Sequence, residues 1–299
     1  MANQILIGGC GSSGTTLLRK MMNNHPNIAC GPEMSVFDRP LMYSESIDYL
    51  YTLWRAQDFD PLDAHCIYPL RINNRLAADL SYCGLLHDNH MKFYHDVKAV
   101  DKMFEISGDI PSFLDEFFAQ YAVKENKRVW AEKTPNNIFC ADLWLDAFPD
   151  GVFINLVRDG RDAVLSMNLR RKVPIYVATY RWIAAVHKWL ELVKNETSKA
   201  QKPEDIRIKT IKYEDLILKT EDTLKGICEF IGEPYSSDML FFNEKELPED
   251  KESGLQYATT PVHEESIGRY LKNDYDPTIL DQINIAIRPL LGNFGYEIE

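Results

Sequence analysis

The sequence predicts an α/β fold of P-loop type, three layers deep, with a central, mostly parallel sheet flanked by helices. Two observations carry that prediction. Short apolar segments alternate with longer helical patterns, which is how parallel strands and their crossover helices read along a chain. Twice, moreover, an apolar strand runs into a glycine- or arginine-rich turn and then opens a helix, at residues 5–20 and 151–167. The predicted strands are 4–8, 28–30, 128–132, 152–157 and 207–212. Ligands of such sheets bind where strands end at their carboxyl edge.

The first strand leads into I-L-I-G-G-C-G-S-S-G-T-T-L-L-R-K and a helix expected over 14–23. Gly8, Gly9, Gly11 and Gly14 allow a tight backbone that approaches an anion closely, and the helix presents its N–H groups and positive dipole end. Ser12, Ser13, Thr15 and Thr16 add hydroxyl donors around Gly11 and Gly14. Thr15 stands where a nucleotide triphosphatase loop places the lysine that reaches the terminal phosphates. The anion hole is therefore kept, while the usual device for a metal–triphosphate is not.

After the strand at 152–157, Arg158 and Arg161 follow directly and Ser166 comes one to two turns later on a helix expected over 161–169. Guanidinium and hydroxyl together suit a second phosphate. Two cradles imply a nucleotide with phosphates at two separate places.

Between these blocks, a helix is expected over 135–148 with Thr134 as its cap. A long helix over 175–199 carries Trp182, Val186, Trp189 and Val193 at helical spacing, which reads as core. The final helix opens at Asp276 and Pro277 and stops at Gly292. Residues 34–126, helical in places, are expected to form much of the acceptor side, and the loop-rich stretch 236–273 a lid over the donor, with Arg269 either touching it or salt-bridged at the surface. His87, His90 and His95 lie close in sequence, but spacings of three and five do not put them on one helix face, so they read as polar surface and no metal site is predicted.

With 299 residues, 45% hydrophobic and 26% charged, and no linker-like stretch, the chain is expected to form one domain, 1–299. A net charge of −12 argues against nucleic-acid and anionic-membrane partners. The first strand leaves no room for a signal peptide and no apolar run is long enough to span a bilayer. The six cysteines show no C-x-x-C pair, and a cytoplasmic location is expected.

In order along the chain stand S-G-T-T-L-L-R, H-P-N-I-A-C-G-P-E, E-K-T-P, V-R-D-G-R-D-A-V-L-S-M and K-Y-E-D-L. Together these blocks resemble the sulfotransferases that use 3′-phosphoadenosine 5′-phosphosulfate (PAPS), above all the tyrosylprotein sulfotransferases and their bacterial relatives. The resemblance implies transfer of a sulfuryl group from PAPS to a hydroxyl acceptor by in-line displacement, leaving adenosine 3′,5′-bisphosphate (PAP) and requiring no metal. The acceptor class stays open among a phenol or tyrosine, a small-molecule alcohol and a glycan.

The resemblance also assigns roles. Lys133 of E-K-T-P matches the family's catalytic lysine, which contacts the bridging or leaving phosphate oxygen; the alternative is a surface ion pair with Glu132 or an acidic neighbour. Glu33 of C-G-P-E matches the proposed general base, although a glutamate after Pro32 also suits a helix start; Asp38 is a weaker candidate. Tyr213 of K-Y-E-D-L resembles a residue near the donor adenine. The departure is Ser12, where the family usually has Arg or Lys, so that Lys133 and Arg19 must supply the positive charge. Typical tyrosylprotein sulfotransferases are membrane-anchored secretory-pathway proteins, unlike the expectation here. A P-loop nucleotide kinase and a non-catalytic nucleotide-binding module are the alternatives.

Overall fold

The computed structural model describes residues 4–38, 43, 45–56, 90–242, 264–272 and 275–297. Its centre is a five-stranded, all-parallel sheet in the order β2-β3-β1-β4-β5. The strands are β1 (Gln4–Gly9), β2 (Ile28–Cys30), β3 (Val129–Lys133), β4 (Val152–Val157) and β5 (Ile208–Lys212). All five predicted strands are present. The differences lie at the ends: β1 runs one residue further, β5 starts one residue later, and β3 is displaced by one, which makes Lys133 the last residue of the strand rather than the first after it.

Side chains alternate between two cores because a strand turns successive residues to opposite faces. Ile5, Ile7, Ile154 and Leu156 pack with α1 (Thr15–Asn23) on one side of the sheet. Leu6 and Phe153 face the other side, where α4 (Ile110–Lys124), α5 (Ala141–Ala147), α6 (Gly160–Arg171), α7 (Ile175–Lys199) and α10 (Pro277–Leu291) gather. Between β2 and β3 the described helices are α2 (Ile47–Ala56), α3 (Val97–Ile106) and α4; after β5 come α8 (Tyr213–Leu218) and α9 (Thr220–Ile231). Both faces are thus covered, as a parallel sheet requires.

The strand order reverses about β1: the chain leaves it for β2, returns through β3, and only then builds β4 on its other side. That reversal opens a crevice at the carboxyl ends of β1, β3 and β4, the predicted position for both cradles. Gly9 permits the turn out of β1. Its φ is +141°, and a Cβ there would lie 2.2 Å from the Leu156 carbonyl oxygen.

Helix α7 matches its predicted bounds, with Trp182, Val186 and Trp189 buried and Val193 packed against the core. The helix expected over 135–148 is instead a 3-10 segment, Pro135–Cys140, followed by α5, and Thr134 makes no cap. Its hydroxyl is bound to the Glu132 carboxylate. Asp276 caps α10 by accepting from the Thr278 N–H at 2.8 Å. Of the expected acceptor segment, residues 39–42, 44 and 57–89 lie outside the described residues, as do 243–263 and 273 of the expected lid. Among the described residues no helix is long and apolar enough to cross a membrane.

Trp182 links the core to the crevice, because its fully buried indole N–H donates to the Arg158 carbonyl at 3.1 Å. Trp182→Phe leaves that carbonyl without its donor and the ring site underfilled, so stability falls by about 2–4 kcal/mol in urea denaturation.

Candidate functional site

The loop from β1 to α1 is built around its conformation. Ser12 lies in the left-handed region at φ 64° and Gly14 at φ 92°. A Cβ on Gly14 would meet the Tyr213 ring at 2.3 Å, so this glycine is required by packing as well as by backbone angle. The Ser12 and Ser13 hydroxyls are buried and find no hydrogen-bond partner among the described residues. Buried hydroxyls without partners are costly unless a ligand satisfies them. Beside the open N–H groups of α1, they fit an anion.

Lys133, at the end of β3, reaches this loop. Its Nζ is hydrogen-bonded to the Glu33 carboxylate and lies 3.5 Å from Thr16 Oγ1. The lysine side chain is 2% exposed and the glutamate 44%. Lys133 therefore pairs with Glu33, not with Glu132. The sequence-predicted catalytic pair is brought into direct contact.

Glu132 has a different task. It is fully buried and accepts from Thr134 Oγ1 at 2.7 Å, Asn137 Nδ2 at 2.7 Å and the Met34 amide at 3.2 Å. Thr134 in turn accepts from the Ser35 amide at 3.1 Å. The segment bearing Glu33 is thereby stitched to the end of β3. Burial pushes the Glu132 carboxyl up to about 7, against the opposing hydrogen bonds from Asn137, Thr134 and Met34.

On the other side of β1, Arg158 follows β4 and is nearly buried. It donates to the Ser12 carbonyl at 3.1 Å and to the Ser266 carbonyl, and its guanidinium lies over the Tyr213 ring at 4.7 Å. The Arg158 Nε finds no partner among the described residues. The Tyr213 hydroxyl meets Ser266 Oγ at 2.6 Å. Arg158 thus joins the first cradle to residues 264–272 of the expected lid, and Asp162 reinforces the junction by accepting from the amides of Gly268 at 2.8 Å and Tyr270 at 3.2 Å. Ser166 is buried on the same helix, two turns from Arg158.

Arg161, expected beside the second phosphate, is held within the protein: Asp159 accepts from its Nε at 2.9 Å and from its Nη2 at 2.6 Å, and its guanidinium lies 3.9 Å over the Tyr270 ring. Arg170 was not predicted. Desolvation first, and then the like charges of Arg158, Arg171 and Arg269, lower its pKa, which places it in an arginine group around the second cradle. The only sequence signal was R-R-K at 170–172, which also reads as cations favoured at a helix C-terminus.

Other sequence candidates fall elsewhere. Arg19 is buried and donates to the Gly31 carbonyl at 2.9 Å, bracing the Glu33 segment. Asp38 lies near Cys140. His95 is buried against the Phe117 carbonyl, His90 packs on Trp54, and His87 lies outside the described residues. Among the described residues no group of side chains could hold a metal ion. Beside Glu33 and the loop opens a cleft of about 440 Å³, walled by Phe139, Met167, Arg171, Tyr180 and Arg181.

The model of the sulfotransferase family matches residues 4–237, which contain every part of this arrangement except residues 264–272. The chain belongs to the sulfotransferase family. It is 25% identical over 302 residues to a Drosophila melanogaster protein-tyrosine sulfotransferase, covering 98% of this chain but 51% of that protein. It is likewise 25% identical to protein-tyrosine sulfotransferase 2 of Gallus gallus, over 98% of this chain and 69% of the relative. The chain thus spans only about half the length of the first of these relatives. In fold it resembles the sulfotransferase domain of the Synechococcus PCC 7002 olefin synthase, with a TM-score of 0.60 at 18% identity over 100% of this chain and 96% of the other. The sulfotransferase domain from the curacin biosynthetic pathway gives 0.60 at 17% identity over 100% and 99%.

The upward shift of Glu132 sets a pH dependence. A carboxyl whose folded pKa is about 7 rather than 4.5 favours the folded state in its protonated form, so its contribution is full below about pH 4.5 and lost by about pH 7. The loss is on the order of 3 kcal/mol. In urea denaturation of this sulfotransferase, Glu132→Gln removes that slope, and its stability relative to wild type rises between about pH 4.5 and pH 8; a constant difference shows that Glu132 does not titrate there.

Proposed function

We propose that this sulfotransferase transfers a sulfuryl group from PAPS to a hydroxyl acceptor. The observation that carries the reading is the contact between Lys133 and Glu33 at the mouth of a loop whose buried hydroxyls await an anion. PAPS supplies an activated sulfuryl group and a separate 3′-phosphate. Ser12, Ser13, Thr15, Thr16 and the N-terminal amides of α1 would hold the 5′ side, and Arg158, Ser166 and Arg170 the 3′-phosphate, with Tyr213 beside the nucleoside.

Sulfuryl transfer resembles phosphoryl transfer, in which positioning and charge stabilisation do most of the work. In the proposed reaction a bond forms between the acceptor oxygen and sulfur as the bond from sulfur to the 5′-phosphate oxygen breaks. Glu33 takes the acceptor proton, which its partly exposed carboxylate is placed to do. Lys133 stabilises the charge gathering on the leaving oxygen, from a buried position where a cation acts strongly. Thr15, in place of a loop lysine, argues against a nucleotide kinase.

Titration calorimetry with PAP, beside ATP and GTP with magnesium, tests the donor class: tight, metal-independent binding of PAP is expected, and preference for a magnesium triphosphate overturns the reading. Lys133→Ala keeps PAP binding but lowers turnover by orders of magnitude, and unchanged turnover removes Lys133 from the mechanism. Arg158→Ala instead weakens PAP binding by about 1.5–3 kcal/mol, the loss of a charge-assisted contact; a purely catalytic defect contradicts its role.

A further inference from the structure

We infer that the acceptor of this enzyme is a compact, aromatic or otherwise apolar hydroxy acid, whose anionic group is received by Arg181 and Arg171 while its hydroxyl meets Glu33. The inference rests on the donor-site reading above and concerns the cleft beside it. That cleft is lined by Glu33, the loop residues Gly9–Gly11 and both arginines. Its volume of about 440 Å³ falls in the range that encloses a small organic molecule. Phe139, Tyr180 and Met167 give it a flat, apolar wall.

Among the described residues both arginines stand without a charge partner. Neither Arg171 nor Arg181 makes an ion pair or side-chain hydrogen bond to the described residues. Helical spacing offers none either: three and four residues from Arg181 stand Val177, Ala178, Ala184 and Ala185, and on the same count Arg171 has Met167, Asn168, Pro174 and Ile175. Arg171 gains from the C-terminal dipole of α6, but Arg181 lies in the second turn of α7, beyond the reach of a helix end. The left-handed Lys172 and then Pro174 turn the chain from α6 into α7, which brings both guanidinium groups to one cleft. The charge of Arg181 is felt at Cys10, whose thiol burial otherwise pushes up, so its field extends to the root of the phosphate loop.

The probes are 3-(4-hydroxyphenyl)propionate and its neutral methyl ester, titrated calorimetrically into protein saturated with PAP. The acid should bind at least roughly tenfold more tightly than the ester, the worth of one charge-assisted contact. Arg181→Gln should reduce that ratio while leaving the affinities for the ester and for PAP in place, with an unchanged melting temperature showing that the fold is kept. Equal affinity for acid and ester, no binding of either, or a variant that weakens both alike overturns the inference. Failure to bind PAP at all would instead overturn the donor reading, so the two failures are distinguishable.

Discussion

A lysine ammonium withdrawn almost entirely from water needs a compensating charge, and the meeting of Lys133 with Glu33 is the contact on which the site depends. The two partners are unequal. Lys133 is fixed by its place at the end of β3, in register with Ile7 of β1, whereas Glu33 sits on an irregular segment with nearly half its side chain in solvent. An anion at the loop can therefore replace Glu33 as the partner of Lys133 without moving the lysine. In the proposed reaction that exchange is productive, since a leaving phosphate oxygen takes over the lysine and the released carboxylate becomes available as a base. In that proposal one ion pair couples donor occupancy to acceptor activation.

Holding an irregular segment against a strand end requires more than the pair itself. Glu132 supplies it by accepting hydrogen bonds from three directions, one of them the backbone of Met34, the residue after Glu33. Arg19 does similar work from the other side through the Gly31 carbonyl. The catalytic geometry is consequently bound to the packing of the sheet. The raised Glu132 pKa is the energetic trace of placing a carboxyl group at that junction.

Much of the frame was legible in the sequence, because burial on both faces of a parallel sheet writes continuous apolar runs, and glycines with special angles mark the turns that follow. The contact of Glu33 with Lys133 was legible only through motif resemblance, since the two residues are 100 positions apart. What escaped was choice of partner. Arg161 looks identical to Arg158 in V-R-D-G-R-D, yet Asp159 closes back onto one arginine while the other is free to reach across to Ser12. Thr134 carries the sequence mark of a helix cap but is claimed by Glu132 and Ser35, because a buried carboxylate two residues away is the stronger competitor. Local pattern specifies which groups are available, and tertiary packing decides between them.

The same distinction explains how an acidic chain can present an anion site. A net charge of −12 works against a negatively charged ligand at long range, but that field is screened over about 8 Å at physiological salt, whereas buried cations act at contact distance. What matters is which cations are already neutralised nearby. Arg161 is neutralised by Asp159, and Arg158 has Asp162 only at 3.8 Å. Lys133 has one partly exposed partner, Glu33. Lys133 and Arg158 thus stand along the carboxyl edge of the sheet, where the strand order reverses, each with a single carboxylate partner among the described residues.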